Sequence, residues 1–293
     1  MLIVWPGVMT RQATGGSPLQ VTPTAGEWGH VRYYSKMDEV DYSATLIEQN
    51  RLFAQVVFSA ESETTIPTCP GWPLRHLLRH VGRAHRWAAQ IMTTGADVTL
   101  DPRSVRDGRP PDDPEGAEAW LHACPEVLLN AVAQVGGPEV IVETFSGPRP
   151  AQWWIRRLLH ETTVHRADAA IAVSEPYELA PEVAADGIDE WLGRLVERSR
   201  QDVLPIEDGR QVSFIAIDVD ASWTLLRLDD ELRLSRNSTD LLTGAKLEGP
   251  ATGLLLALFR RLDAEKAGCR VEGDSSSWTS LLARTPYNAP ETQ

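Results

Sequence analysis

The sequence predicts an α+β chain: a helical bundle followed by a small α/β domain. Between about residues 38 and 200 apolar residues recur at helical spacing, whereas beyond 205 they alternate with polar ones at a period of two. Turn residues such as Asp229-Asp230 separate the alternating runs. These observations divide the chain into a bundle over 37–203, an α/β domain over 204–286 and a tail over 287–293.

The elements follow in order. Residues 1–36 are rich in Gly, Thr, Ser and Pro without an apolar period and read as a disordered extension. In 38–57 the residues Leu46, Asn50, Phe53, Val56 and Val57 begin a helical pattern, and the polar turn "SAESETTIPTCPGW" leads into a second helix. A Pro/Asp/Gly loop over 97–116 precedes "AEAWLHACPEVLLNAVAQV", where Pro125 marks a break or a new first turn. A strong helix covers about 151–172, and another is entered after Pro181. In the second domain "RQVSFIAIDVD", "ASWTLLRL" and "ELRLSR" read as strands, "GPATGLLLALFRRLDAE" as a helix and "CRVEGD" as a short strand.

Composition excludes several functions. Forty-one acidic residues against 28 basic ones give a formal charge of −13, which repels a phosphate backbone, so no nucleic-acid partner is expected. No apolar run reaches membrane-spanning length, and the brief apolar start lacks a basic leader. Three scattered cysteines, Cys69, Cys124 and Cys269, form neither a disulfide framework nor a CxxC knuckle, which points to a reducing cytoplasm. The oligomeric state is not legible.

The histidines carry the chemistry. Residues 68–87 hold three of the seven, His76, His80 and His85. With roughly 100° per residue, Leu74, Leu77, Leu78, Val81 and Ala88 define the buried stripe. His76 falls on the opposite, solvated side, His85 inside the stripe, and His80 on its shoulder, able to reach inward. In 153–170 the apolar face runs through Trp154, Leu158, Thr162 and Ala169, and Glu161 and His165 fall in its middle. A carboxylate aimed at a core is costly unless it is paired or coordinates a cation. His80, Glu161 and His165 therefore form a candidate three-ligand metal site with an open position, the form of catalytic zinc. The competing reading is a buried ion pair of Glu161 with Arg79, Arg83 or Arg157. "HETTVH" is not a zincin motif: His160 and His165 lie roughly 140° apart around the helix.

The segment "TIPTCPGWPLRHLLRHVGRAHRW" resembles the opening signature of the mycothiol-dependent maleylpyruvate isomerase family, and "RRLLHETTVHRADA" resembles its second, an Arg-x-x-x-His-Glu-x-x-x-His-Arg-x-Asp run. "LEGPATGLLLALFRR" followed by "VEGD" resembles its C-terminal domain. The similarity covers about residues 40–285. It implies a DinB-like four-helix bundle joined to a small sterol-carrier-like α/β domain, with metal ligands at His80, Glu161 and His165. It also implies a basic residue at Arg261 facing the active site, with Arg260 standing where the commoner pattern has glycine. Mycothiol is the implied thiol co-substrate.

Zinc with an open position can hold a thiol as its nucleophilic thiolate. Metal-bound thiolate would attack a small electrophile, giving either S-transfer or, by addition, rotation and elimination, cis–trans isomerisation. Arg261 would stabilise a carboxylate or enolate. A non-catalytic metal or ligand sensor and a lipid carrier working through the C-terminal domain are the alternatives.

Overall fold

The computed structural model describes residues 40–95, 97–199, 204–237 and 244–285. The expected N-terminal extension and C-terminal tail lie outside the described residues, as does the chain over 200–203.

Five helices build the first half: α1 (Tyr42–Phe58), α2 (Leu74–Thr94), α3 (Pro114–His122), α4 (Cys124–Gln134) and α5 (Gln152–Val173). Pro114 and Pro125 each sit in a first turn, so the second proline starts α4 rather than kinking one long helix. α1 packs along α5, and α2 lies against α4 and α5, closing a bundle. Gly82 lets α2 and α3 meet, because a Cβ there would fall 2.1 Å from the Trp120 ring. The core is dense with aromatics: Trp87 and Trp154 meet edge to face with centroids 5.4 Å apart. A two-residue hairpin of β1 (Ile141–Val142) and β2 (Arg149–Pro150), unmarked by any alternation, leads into α5.

The next helix, α6 (Pro181–Ser199), begins at Pro181 as the sequence indicates. Its apolar residues Ala184, Ile188, Trp191 and Leu192 join the second core, with α7 and the sheet, rather than the bundle core. Its polar face bonds back to α5, since Arg156 reaches Asp186 at 2.9 Å and Arg157 reaches Glu190 at 2.6 Å. α6 is thus shared between the two halves.

The second half is a five-stranded sheet in the order β5-β4-β3-β6-β7, with β3 (Gln211–Ala216), β4 (Ser222–Leu228), β5 (Glu231–Arg236), β6 (Gly244–Gly249) and β7 (Arg270–Gly273). Every pairing is antiparallel except β3 with β6. α7 (Ala251–Leu258) and α8 (Ser275–Arg284) complete it. β6 and α8 are additions to the sequence reading. α8 starts on Asp274, whose carboxylate accepts from the Ser276 amide. Among the described residues no helix is long and apolar enough to cross a membrane.

Candidate metal centre

The site forms where α2 and α5 face each other, and the preceding turn frames it. In "CPGW" the Trp72 amide donates to the Cys69 carbonyl at 3.0 Å and Gly71 has φ +82°. That is a type II turn, with proline setting the first central residue and glycine supplying the left-handed second one. The turn presents Thr68 and Cys69 to α5 and lays the Trp72 ring 5.1 Å from the His80 ring. The first amides of α2 are satisfied by this loop: Leu74 donates to Thr64 O and Arg75 to Ser62 O.

The structure brings His80, Glu161 and His165 together. His80 Nε2 lies 3.0 Å and His165 Nε2 3.5 Å from the same oxygen, Glu161 Oε1. One candidate ligand atom from each residue lies within 4.8 Å of the others. An ion about 2.0–2.1 Å from each ligand at tetrahedral angles needs ligand atoms about 3.3 Å apart, so the three fit one divalent ion. His165 Nε2 is buried and has no hydrogen-bond partner. A buried ring nitrogen aimed at a carboxylate and a second imidazole is what a bound cation would satisfy.

Of the two sequence readings of Glu161, the ion pair is formed with Arg157 and occupies one oxygen only. Oε2 accepts from Arg157 Nη2 at 2.6 Å, and Arg157 Nη1 reaches Glu190 on α6 at 2.6 Å. Oε1 is left to the histidines. Burial would raise the Glu161 pKa, but the adjoining His165 and His80 and the Arg157 guanidinium hold it well below the usual carboxylate range.

Asp168, one turn beyond His165, fixes that ring. Its Oδ2 lies 2.9 Å from His165 Nδ1, so Nδ1–H donates to it and Nε2 is turned toward Glu161. Thr68 Oγ1 donates to Asp168 at 2.5 Å, and Cys69 Sγ lies at 3.4 Å from it. Against burial, Arg261 and His165 hold Asp168 far below its usual pKa. Cys69, His165 and Asp168 also satisfy the distance requirement for a metal. That position is a poor one, because a cation there would sit against the Arg261 guanidinium.

Arg261 arrives from the C-terminal domain. α7 ends in a Schellman motif: Arg260 has φ +58°, its amide donates to Ala257 O at 3.0 Å and the Arg261 amide to Leu256 O at 2.8 Å. Position 260 needs a left-handed residue, which is the physical reason a glycine suits it. The turn points Arg261 at the bundle and Arg260 at the end of α8, where it donates to the Leu282 and Thr285 carbonyls. The sequence reading gives Arg261 to a substrate carboxylate or enolate; in the structure Asp168 is paired with it. Nε and Nη2 each donate to Asp168 at 2.8 Å, and Nη1 to Phe259 O at 2.8 Å, so an internal carboxylate takes the bidentate edge.

Three further histidines are accounted for without a metal. His160 turns to α6 and lies 2.6 Å from Asp186, separate from His165 as the five-residue spacing requires. His85 is fully buried, with Nε2 3.1 Å from Thr162 Oγ1. His76 packs edge-on to Trp72 at the surface. The three cysteines are buried and form no disulfide.

Two family models match the chain. The mycothiol maleylpyruvate isomerase N-terminal domain covers residues 44–170 and the corresponding C-terminal domain covers 182–279. The chain belongs to the mycothiol-dependent maleylpyruvate isomerase family. Among solved structures the fold is similar to that of the mycothiol-dependent maleylpyruvate isomerase, at 11% identity and TM-score 0.51 over 82% of this chain and 96% of that one. A histidine-to-alanine variant of that enzyme gives 10% identity and TM-score 0.50 over the same shares. At these identities the likeness is one of fold. No curated protein sequence matches. The C-terminal model begins at residue 182, at the start of α6, in line with the sharing of that helix with the second core.

Proposed function

We propose that this chain is a mycothiol-dependent enzyme in which the thiolate of mycothiol attacks a small electrophile at the α2–α5 site. His80, Glu161 and His165 would hold one divalent ion, most simply zinc, given two imidazoles and one carboxylate. Such an ion supplies a positive charge that keeps a bound thiol deprotonated near neutral pH. The observation that carries the reading is the convergence of three ligand atoms with an unpartnered, buried His165 Nε2 among them.

The chain's own residues do the rest. Arg157 neutralises the Glu161 oxygen facing away from the histidines, leaving Oε1 directed at them. Asp168, locked by Arg261, Thr68 and Cys69, keeps the His165 ring in one orientation and one tautomer. Arg261 therefore acts from across the domain boundary as a positioning residue. Glu161 and His165 are 1% and 0% exposed and His80 is 10% exposed, so reactants approach past His80 and the neighbouring Trp72. No cysteine of the chain is needed as nucleophile, because the thiol comes with the co-substrate. A cytoplasmic setting suits a reaction that needs a reduced thiol.

Two outcomes are open to a thiolate that has added to an activated double bond. Rotation and elimination return the thiol and an isomer, whereas loss of a leaving group gives a thioether and S-transfer. Incubating the metal-loaded protein with mycothiol and candidate electrophiles, followed by mass spectrometry, separates them. The expected result is mycothiol-dependent product, and an adduct mass identifies transfer. Equal activity with glutathione would contradict mycothiol as the co-substrate.

A further inference from the structure

With Arg261 engaged by Asp168, an anionic electrophile needs another anchor. Arg75, Arg79 and Arg83 stand four residues apart on α2, so they form a row on one side of the helix. Arg79 and Arg83 lie within roughly 100° of His80 around the axis, and the Arg83 charge acts on the His80 ring. The α2–α3 loop adds a fourth arginine. Arg83 Nε donates to Gly108 O at 2.9 Å and Trp120 Nε1 to Asp107 O at 2.8 Å, which pins Arg109 beside the row.

This cluster is unusual in a chain of formal charge −13. Arg75 is paired with Glu63. Among the described residues, Arg79, Arg83 and Arg109 make no ion pair within 4.0 Å, and the one side-chain bond of the three goes to a carbonyl. Arg109 and Arg75 are the charges that act on Arg79. Arg79, Arg109 and Arg103 do the same to Arg83, with Asp101 the opposing acid. Like charges held together without partners destabilise a helix surface, and a bound anion would relieve them.

We propose that Arg79, Arg83 and Arg109 form an oxyanion-binding patch at the entrance to the metal centre, where it holds a carboxylate or phosphate group of the electrophile. The inference rests on the thiol-addition reading for its use in turnover, but not for the binding itself. Guanidinium forks suit either oxyanion, and the patch would orient the electrophile with its reactive carbon toward His80.

The test is equilibrium binding to the metal-loaded full-length protein, with maleate and inorganic phosphate as probes and neutral maleamide as the control. Arg79→Gln, Arg83→Gln and Arg109→Gln are compared with Arg270→Gln, an exposed change of equal charge on β7. Each patch variant is expected to weaken oxyanion binding about tenfold with metal content unchanged, Arg270→Gln to leave it unaltered, and added salt to weaken the wild type. The tighter probe identifies carboxylate or phosphate as the natural group. Turnover separates this proposal from the one it rests on. For anionic electrophiles the patch variants should raise KM and leave kcat, whereas absence of thiol chemistry in every protein would sink the function and leave the binding result standing. Oxyanion binding that is absent, or indifferent to all three substitutions, would overturn the patch.

Discussion

His165→Ala is expected to abolish stoichiometric metal binding and, with it, turnover. The imidazole would contribute Nε2, which lies 3.5 Å from Glu161 Oε1, as one of the three ligand atoms. Losing a partner that merely orients a ligand costs about 10–100-fold in metal affinity, so losing the ligand itself should cost more. The buried groups around the gap remain satisfied, because Asp168 keeps Arg261, Thr68 and Cys69. The variant should therefore fold, and His165→Gln, which fills more of the space, guards against collapse. His76→Ala is the companion, since His76 lies at the surface against Trp72 and should keep its metal. Elemental analysis of the purified proteins decides: metal retained by His165→Ala and lost from His76→Ala would refute the ligand set.

Arg261→Lys should be the next most damaging change. Asp168 accepts from Arg261 Nε and Nη2 at 2.8 Å each, a bidentate contact that a lysine ammonium cannot reproduce. With Asp168 less firmly held, the His165 ring loses its fixed orientation, and metal affinity should fall about 10–100-fold. Removing a buried carboxylate's partner altogether costs about 3–5 kcal/mol, and lysine, which keeps the charge, should cost less. Arg260→Lys should leave metal affinity unchanged, because Arg260 reaches α8 rather than Asp168. Competition titrations with a metal chelator give the affinities and thermal melts the stabilities. Wild-type affinity in Arg261→Lys would show that Asp168 does not depend on the arginine.

Much of this was legible in the sequence, and what was not has identifiable causes. Helical angles alone put Glu161 and His165 on one face of α5 and His80 on the shoulder of α2, because the bundle turns those faces toward each other. The change from helical to alternating periodicity marked the sheet. Asp168 was present in the second motif and stands three residues after His165, but its partner is 93 residues away, and only domain docking joins them. The same limit hid Glu190, whose tie to Arg157 depends on how α6 lies across the bundle. Cys69 stood in the sequence only as one of three scattered cysteines. Its bond to Asp168 comes from the geometry of the Pro70-Gly71 turn rather than from any pattern of spacing. β6, as long as β3 and β5, escaped notice because it pairs in parallel with β3 across an intervening hairpin rather than with its neighbour in sequence.

The central claim is that His80, Glu161 and His165 hold one divalent ion with a position left open for the thiol of mycothiol. Cobalt(II) substitution reports on both parts, since its absorption bands depend on coordination number and a sulfur ligand adds a charge-transfer band. The protein is expected to take up one cobalt ion per chain with a four- or five-coordinate spectrum, and mycothiol should bring in the sulfur band, with neither seen in His165→Ala. Cobalt uptake that survives in His165→Ala, or a wild-type spectrum that mycothiol leaves unchanged, would contradict the account.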